Sequence, residues 1–517
     1  MKTSRFFLIL VSTLLFIGLG SCKNETPLTA SLSRSTPEAE GVSSEAIITF
    51  LDSAATSMQE FHSFMFLRHG KVIAEGWWDP YKPDLRHTLY STSKSFTSTA
   101  VGFAVNEKLL TVNDKVISFF PDQLPDSVSP FLADMTVKDL LTMSTGQSPE
   151  PTDVIRSSGP DWVKSFLAFP VANDPGSTFL YNSMATYMLS AIVQKVTGEM
   201  VIDYLRPRLF EPLGIKGMDW EISPEGINTG GWGLLVKTED MAKFGQLYLQ
   251  KGVWKNKQVI PANWVEEATT FKIDQAPDAL QSKKDSSDWM QGYCYQFWRC
   301  RNNAFRADGA FGQFIIIMPD KDAVIAITSE SPNMQDEINM VWKYLLPAMK
   351  AEPLAENKEA AETLKQRLSS LALPPAARKP ESPLASKLSS KTFALEKNDL
   401  KFESFSIRFS GDTCYLSMNS DNTDYSIPFG AGKWALAETV LAGPNILSRP
   451  GALSMNKTAG SYSWKDENTL ELVLRYIESP HSYKITCIFD AENVEVNLHL
   501  SIPPGTDLPP IKGKLVK

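Results

Sequence analysis

Residues 89–98 read LYSTSKSFTS and set a serine, Ser91, three positions before a lysine, Lys94. The apolar residues that follow, Phe96, Val101, Phe103, Ala104 and Leu109, predict a helix that is largely buried. Residues three apart share a helix face, so Ser91 and Lys94 point the same way. A lysine on a buried face is costly as a cation unless a neighbour neutralises it or the chain uses it. The first turn of a buried helix also offers unpaired N–H groups and the positive end of the helix dipole to negative charge developing on a serine. Ser91 is therefore a candidate nucleophile and Lys94 its candidate proton acceptor. The plainer alternative is the start of a surface helix.

Alone, S-x-x-K carries little weight, because Ser454-Met455-Asn456-Lys457 repeats it. That copy follows Arg449-Pro450-Gly451 inside a stretch of strand character, where a strand or loop separates the two side chains. Histidine narrows the chemistry further. The five histidines are His62, His69, His87, His481 and His499, none lies between Ser91 and the Pro-rich segment that begins near residue 374, and no G-x-S-x-G surrounds Ser91. A Ser-His-Asp triad in the α/β-hydrolase order is thus excluded from this part of the chain. His87, four residues before Ser91, reads as structural or as part of a cleft rim.

Working outward, SFMFLRHGKVIAEGWW (63–78) reads as two strands about a His69-Gly70 turn. A long middle section has helical periodicity, as in MATYMLSAIVQKVTG (184–198). Strand character returns in FGQFIIIMPDKDAVIAITSE (311–330), followed by a helix in MQDEINMVWKYLLPAMK (334–350). Strands at both ends with helices between imply one sheet completed by distant parts of the chain, hence one α+β domain over residues 41–350. Residues 351–391 read as a helical and then Pro/Ala/Ser-rich linker. Beyond it, Phe405, Ile407 and Phe409, Cys414, Leu416 and Met418, and Val494, Val496, Leu498 and Leu500 alternate with polar residues, which predicts a small antiparallel β domain over 392–517.

The first 21 residues carry Lys2 and Arg5 and then an apolar run too short for a comfortable membrane span, which reads as an export signal. Its end, Leu19-Gly20-Ser21-Cys22, resembles the lipobox of bacterial lipoproteins. That resemblance implies lipid attachment at Cys22, a polar tether over 22–40, and a location in the bacterial cell envelope, anchored to membrane. Setting Cys22 aside leaves Cys294, Cys300, Cys414 and Cys487; neighbouring pairs are the simplest disulfides in an oxidising compartment, and buried free thiols are an equal alternative. The 517 residues hold 51 Lys+Arg against 59 Asp+Glu, a net charge of -8, with no long basic run, so nucleic acid is excluded as a partner. No CxxC or Cys/His cluster suggests a metal, and no cofactor motif is present.

With its surroundings, STSKSF resembles the first motif of the serine β-lactamase and penicillin-binding-protein superfamily, nearest to its class C, esterase and D-aminopeptidase branch. A second motif matches at Tyr181-Asn182-Ser183, after Pro175-Gly176, and a third triplet, ending in glycine, at Ala307-Asp308-Gly309. The resemblance covers roughly residues 45–348 and extends to LLTMSTG, LFEPLGI and GWGLLVKTEDMAKFGQLYL. It implies an antiparallel sheet flanked by helices, a helical subdomain, and an active cleft between them. It also implies Ser91 as the acylated nucleophile, Lys94 as its proton partner and Tyr181 as the group that shuttles the proton to the leaving group. The backbone N–H groups of Ser91 and Ala310 would form an oxyanion hole, and Ser183 would bond Lys94 or a substrate amide. Physical chemistry adds that a phenol ionises at neutral pH only beside a cation such as Lys94.

One departure matters. The familiar third triplet begins with lysine or histidine and has a hydroxyl at its centre, whereas here the centre is Asp308. Arg306 precedes the triplet, but neighbours along a strand face opposite ways. The expectation is therefore a serine hydrolase acting through an acyl-enzyme on an ester or amide, and a poor β-lactamase. A penicillin-recognising sensor that is acylated without turnover and a catalytically silent envelope protein are the alternatives.

Overall fold

A computed structural model describes residues 31–377, 379, 381–389, 391–420, 423–444 and 455–516. The first domain is built on strands β1 (Ser33–Arg34), β2 (Glu60–Arg68), β3 (Lys71–Trp77), β4 (Trp298–Arg299), β5 (Phe305–Gly309), β6 (Gln313–Met318) and β7 (Ala323–Glu330). They pair in the order β1-β3-β2-β7-β6-β5-β4, antiparallel throughout except for β1 beside β3. The pairing of β2 with β7 joins the two ends of the domain, as the strand pattern predicts. His69 and Gly70 both take positive φ, 48° and 74°, the geometry that matches a two-residue hairpin to strand twist.

Both faces of this sheet are covered, which is why its inner strands are apolar at successive positions. Met65, Leu67, Ile315, Ile317, Val324 and Ala326 face one core. Phe64, Phe66, Phe314, Ile316, Ile325 and Ile327 face the other. The second core is closed by helix α1 (Ser44–Thr56) and the helical segment Met334–Ala348. The first holds helices α2 (Ser93–Asn106), α3 (Ser183–Thr197) and α4 (Thr238–Leu249). Helix α2 is buried from Ser93 to Ala104, yet rich in hydroxyls. Ser95 Oγ donates to the Gln296 carbonyl at 2.7 Å, Thr97 Oγ1 to the Gly230 carbonyl at 2.9 Å, and Thr99 Oγ1 shares a 2.7 Å bond with Tyr248 Oη. Leu109 is an exception to the expected buried face: the helix ends at Asn106, and Leu109 lies beyond it, 41% exposed.

The connecting segments are more embedded than their polar composition suggests. Of the expected tether, residues 22–40, the described part is docked on the domain. Ser33–Arg34 pair with Lys71–Val72, Arg34 bridges Glu75 and Glu239, and buried Glu38 accepts from the Ser44 N–H at 2.7 Å at the start of α1. Within the expected linker, helix α5 (Lys358–Ser369) buries Leu364 in the second core, and Leu373 is buried with it. Here a charged helix face hid an apolar stripe that the sheet edge covers.

The C-terminal domain is a β-barrel of antiparallel strands running from Lys391–Leu395 to Ile511–Leu515. It closes through one parallel pairing, where Gly430–Ala431 meet Ser461–Tyr462. The expected alternation points Phe405, Ile407, Cys414, Leu416, Val494, Val496 and Leu498 into its core. All four described cysteines are buried free thiols, so neither simple disulfide forms. They pack as small apolar groups, and Cys300 Sγ also accepts from Arg306 at 3.2 Å. The barrel docks firmly on the first domain: Arg475 forms a two-pronged ion pair with Glu60 at 2.6 and 2.9 Å, and the Thr88 N–H donates to the Glu478 carbonyl at 2.9 Å.

Candidate active site

Ser91 lies in the tight turn Tyr90–Thr92 that runs directly into α2, and it is partly exposed. Ser93 secures this turn by donating to the Tyr90 carbonyl at 2.6 Å while accepting from the Leu234 N–H at 3.1 Å. One helical turn on, Lys94 is only 2% exposed. Its Nζ lies 3.0 Å from Ser91 Oγ, 3.1 Å from Ser183 Oγ and 2.6 Å from the Gly231 carbonyl. Burial pulls the Lys94 ammonium down from its ordinary 10.5 to about 7, against the opposing pull of Glu150 and Asp308. A neutral Nζ has one lone pair and two N–H bonds, so it can accept the Ser91 proton while donating to the other two oxygens.

Tyr181 lies across the cleft, with Lys94 Nζ 4.9 Å from its ring centre. Burial raises its phenol well above the ordinary 10, and its hydrogen bond with Ser91 pulls only part of the way back. Of the two groups, Lys94 is therefore the one that gives up its proton near neutral pH, and Tyr181 stays a phenol. Tyr181-Asn182-Ser183 also opens a helix. Asn182 caps α3 by accepting from the Ala185 N–H at 3.0 Å, and that cap presents Ser183 to Lys94.

The edge of β5 packs against the nucleophile turn. A Cβ on Gly309 would stand 2.2 Å from the Leu89 carbonyl oxygen and 2.9 Å from Thr92 Oγ1, so only glycine allows the approach. Thr92 Oγ1 also donates to the Gln313 carbonyl at 2.6 Å, across the turn that carries Ala310. Asp308 and Arg306, two apart on the strand, share a face. Arg306 is fully buried, and its Nε and Nη2 lie 2.8 and 2.7 Å from Asp308 Oδ2. Its guanidinium lies 4.3 Å from the Trp289 ring centre. Burial pushes the Asp308 carboxyl above its ordinary value while Arg306 and Lys94 pull against it. Asp308 is therefore neutralised by its own neighbour, a pairing that positions two apart on one strand permit.

Phe179, Tyr293 and Trp298 form an aromatic wall behind Tyr181, with Trp298 stacked on it at 5.6 Å between ring centres. A cavity of about 830 Å³ lies elsewhere, between β3 and α5. Of the remaining predicted positions, Cys22 and Ser454 lie outside the described residues, and Lys457 pairs with Glu478 at 3.3 Å. His87 is buried 3.2 Å from His62, a structural place away from Ser91 chemistry. Sequence reasoning missed the Gly231 carbonyl, whose glycine-rich segment was visible without its role, and the approach of Glu150.

Comparison with known proteins gives the family of the first domain. Residues 59–346 match the Beta-lactamase family model, and the chain belongs to that family. The 6-aminohexanoate-dimer hydrolase of Paenarthrobacter ureafaciens is 26% identical over 328 residues, covering 59% of this chain and 83% of the relative. Among solved structures, a Bacillus anthracis protein assigned to the 6-aminohexanoate-dimer hydrolases superposes with a TM-score of 0.51 at 19% identity, covering 63% of this chain and 89% of that one. The octameric penicillin-binding protein homologue from Pyrococcus abyssi aligns over 91% of this chain and 99% of its own, at 17% identity and a TM-score of 0.47.

Proposed function

We propose that this protein is a serine hydrolase that cleaves an ester or amide through an acyl-enzyme on Ser91. The observation that carries the reading is Lys94 Nζ, buried and lowered to about 7, at 3.0 Å from Ser91 Oγ. Neutral Lys94 takes the Ser91 proton as Oγ attacks the acyl carbon, and the backbone N–H groups of Ser91 and Ala310 receive the oxyanion. Tyr181, still protonated, passes its proton to the leaving alcohol or amine as the old bond breaks, and is reprotonated from Lys94. Water then repeats the attack on the acyl carbon and releases the acid.

The relatives named for the 6-aminohexanoate dimer, a linear amide, favour an amide or ester without a fused ring. The third motif fits that preference, because Ala307-Asp308-Gly309 offers neither a cation nor a hydroxyl to a β-lactam carboxylate. Cys22 as a lipid anchor in the cell envelope is part of the same proposal and rests on the Leu19-Gly20-Ser21-Cys22 pattern. The test compares kcat/KM on short nitrophenyl esters, linear amides of 6-aminohexanoate and nitrocefin. Ester or amide turnover above nitrocefin turnover is expected; efficient nitrocefin hydrolysis with inert esters and amides would reverse the substrate reading.

A further inference from the structure

We infer that His481, carried by the C-terminal barrel, is a positioning residue that clamps both sides of the oxyanion hole. This rests on the acyl-enzyme reading above. His481 is fully buried at the domain interface, directly behind the nucleophile turn. Its Nε2 lies 2.7 Å from Tyr90 Oη, and its Nδ1 lies 2.5 Å from Glu330 Oε1 at the end of β7. Ser501, also from the barrel, donates to the same Glu330 oxygen at 2.8 Å. A carboxylate accepts only, so Glu330 holds a proton on Nδ1 and aims Nε2 at the Tyr90 hydroxyl. The imidazole also meets the Phe311 ring edge-on at 4.8 Å, and Phe311 meets Tyr90 at 5.5 Å.

The placement of these contacts gives them meaning. Tyr90 directly precedes Ser91, and Phe311 directly follows Ala310, the two residues assigned to the oxyanion hole. Both hold left-handed backbone without being glycine, with φ of 47° and 66°. Such a conformation is strained for a residue with a bulky side chain and persists only where surroundings impose it. Glycine would remove that strain but would leave nothing for the barrel to grip. Instead, one imidazole bonds one side chain and packs on the other, tying the spacing of the two N–H groups to the docking of the barrel. The Phe311 carbonyl is held from the opposite side by the Ser331 N–H at 2.9 Å and Ser329 Oγ at 2.7 Å, so its side chain completes the grip. The C-terminal domain thereby contributes to catalysis without touching substrate.

The test uses the full chain with Tyr90→Phe, His481→Gln, His481→Leu and the Tyr90→Phe/His481→Leu double variant. Steady-state kinetics on a nitrophenyl ester and fluorophosphonate labelling rates are read beside thermal melting. Tyr90→Phe and His481→Leu should each lower kcat about tenfold, a fraction of the hundredfold or more lost with an outright oxyanion donor. KM should stay within about twofold, because ground-state binding is untouched. His481→Gln, which keeps an acceptor for Tyr90, should recover part of the loss, and the double variant should be no slower than His481→Leu. Tyr90→Phe deletes a single oxygen and decides the matter if His481→Leu does not fold. Folded variants with wild-type kcat and labelling, or a loss confined to KM, would overturn the clamp alone. A wild-type protein inert to probe and esters would overturn the acyl-enzyme reading and the clamp with it.

Discussion

Replacing Lys94 with methionine should make the protein inactive and, at acid pH, more stable. Lys94 is 2% exposed, and its fall from 10.5 to about 7 is a folding penalty. At about 1.4 kcal/mol per pH unit, keeping the ammonium buried costs roughly 5 kcal/mol below pH 7. Between about 7 and 10.5 the unfolded chain binds a proton that the folded chain has released, so wild-type stability rises with pH across that window. Methionine has similar length, fills the space and carries no charge. It leaves the Gly231 carbonyl without its donor, which costs about 1–3 kcal/mol at any pH. The variant should therefore exceed wild type by about 2–4 kcal/mol at pH 6, and that margin should shrink by roughly 3 kcal/mol by pH 9. Urea denaturation of both proteins at fixed ionic strength, from pH 6 to 9, measures the difference, in which other titrating groups cancel. A stability difference that does not change with pH would refute the idea that Lys94 is held near neutrality by burial.

Three further outcomes follow from the site. Tyr181→Phe should lower kcat by about a hundredfold while leaving the acid limb of the pH–rate profile near 7, because that limb belongs to Lys94 and the phenol stays protonated; a shifted limb would reassign it. Asp308→Asn should destabilise the fold by about 3–5 kcal/mol, read as a lower melting temperature, because it strips fully buried Arg306 of its carboxylate. Cys22→Ser should leave an exported protein that takes up no palmitate analogue, and persistent labelling of that variant would remove the anchor.

The parts of the fold legible in the sequence are those set by local periodicity. Alternation in Phe405–Phe409 and Val494–Leu500 marked the strands of the C-terminal β domain, and the apolar runs at 63–68 and 314–318 marked strands of one shared sheet. Ser91, Lys94, Tyr181 and Ser183 were legible because each sits within an ordered motif, and the chain brings them together as the spacing implies. Long-range contacts were not legible. Nothing near His481 in ESPHSYK signals a bond to Tyr90, nor does the Lys358–Ser369 helix announce that its Leu364 stripe closes a core. Polar composition misled at residues 32–40, where Arg34 and Glu38 serve specific partners instead of solvent.

Covalent acylation of Ser91 is tested by intact-mass analysis with peptide mapping after fluorophosphonate treatment. One adduct is expected, on the peptide that carries Ser91, absent in Ser91→Ala and retained in Ser454→Ala. An unlabelled wild-type protein, or an adduct that survives Ser91→Ala, would contradict it.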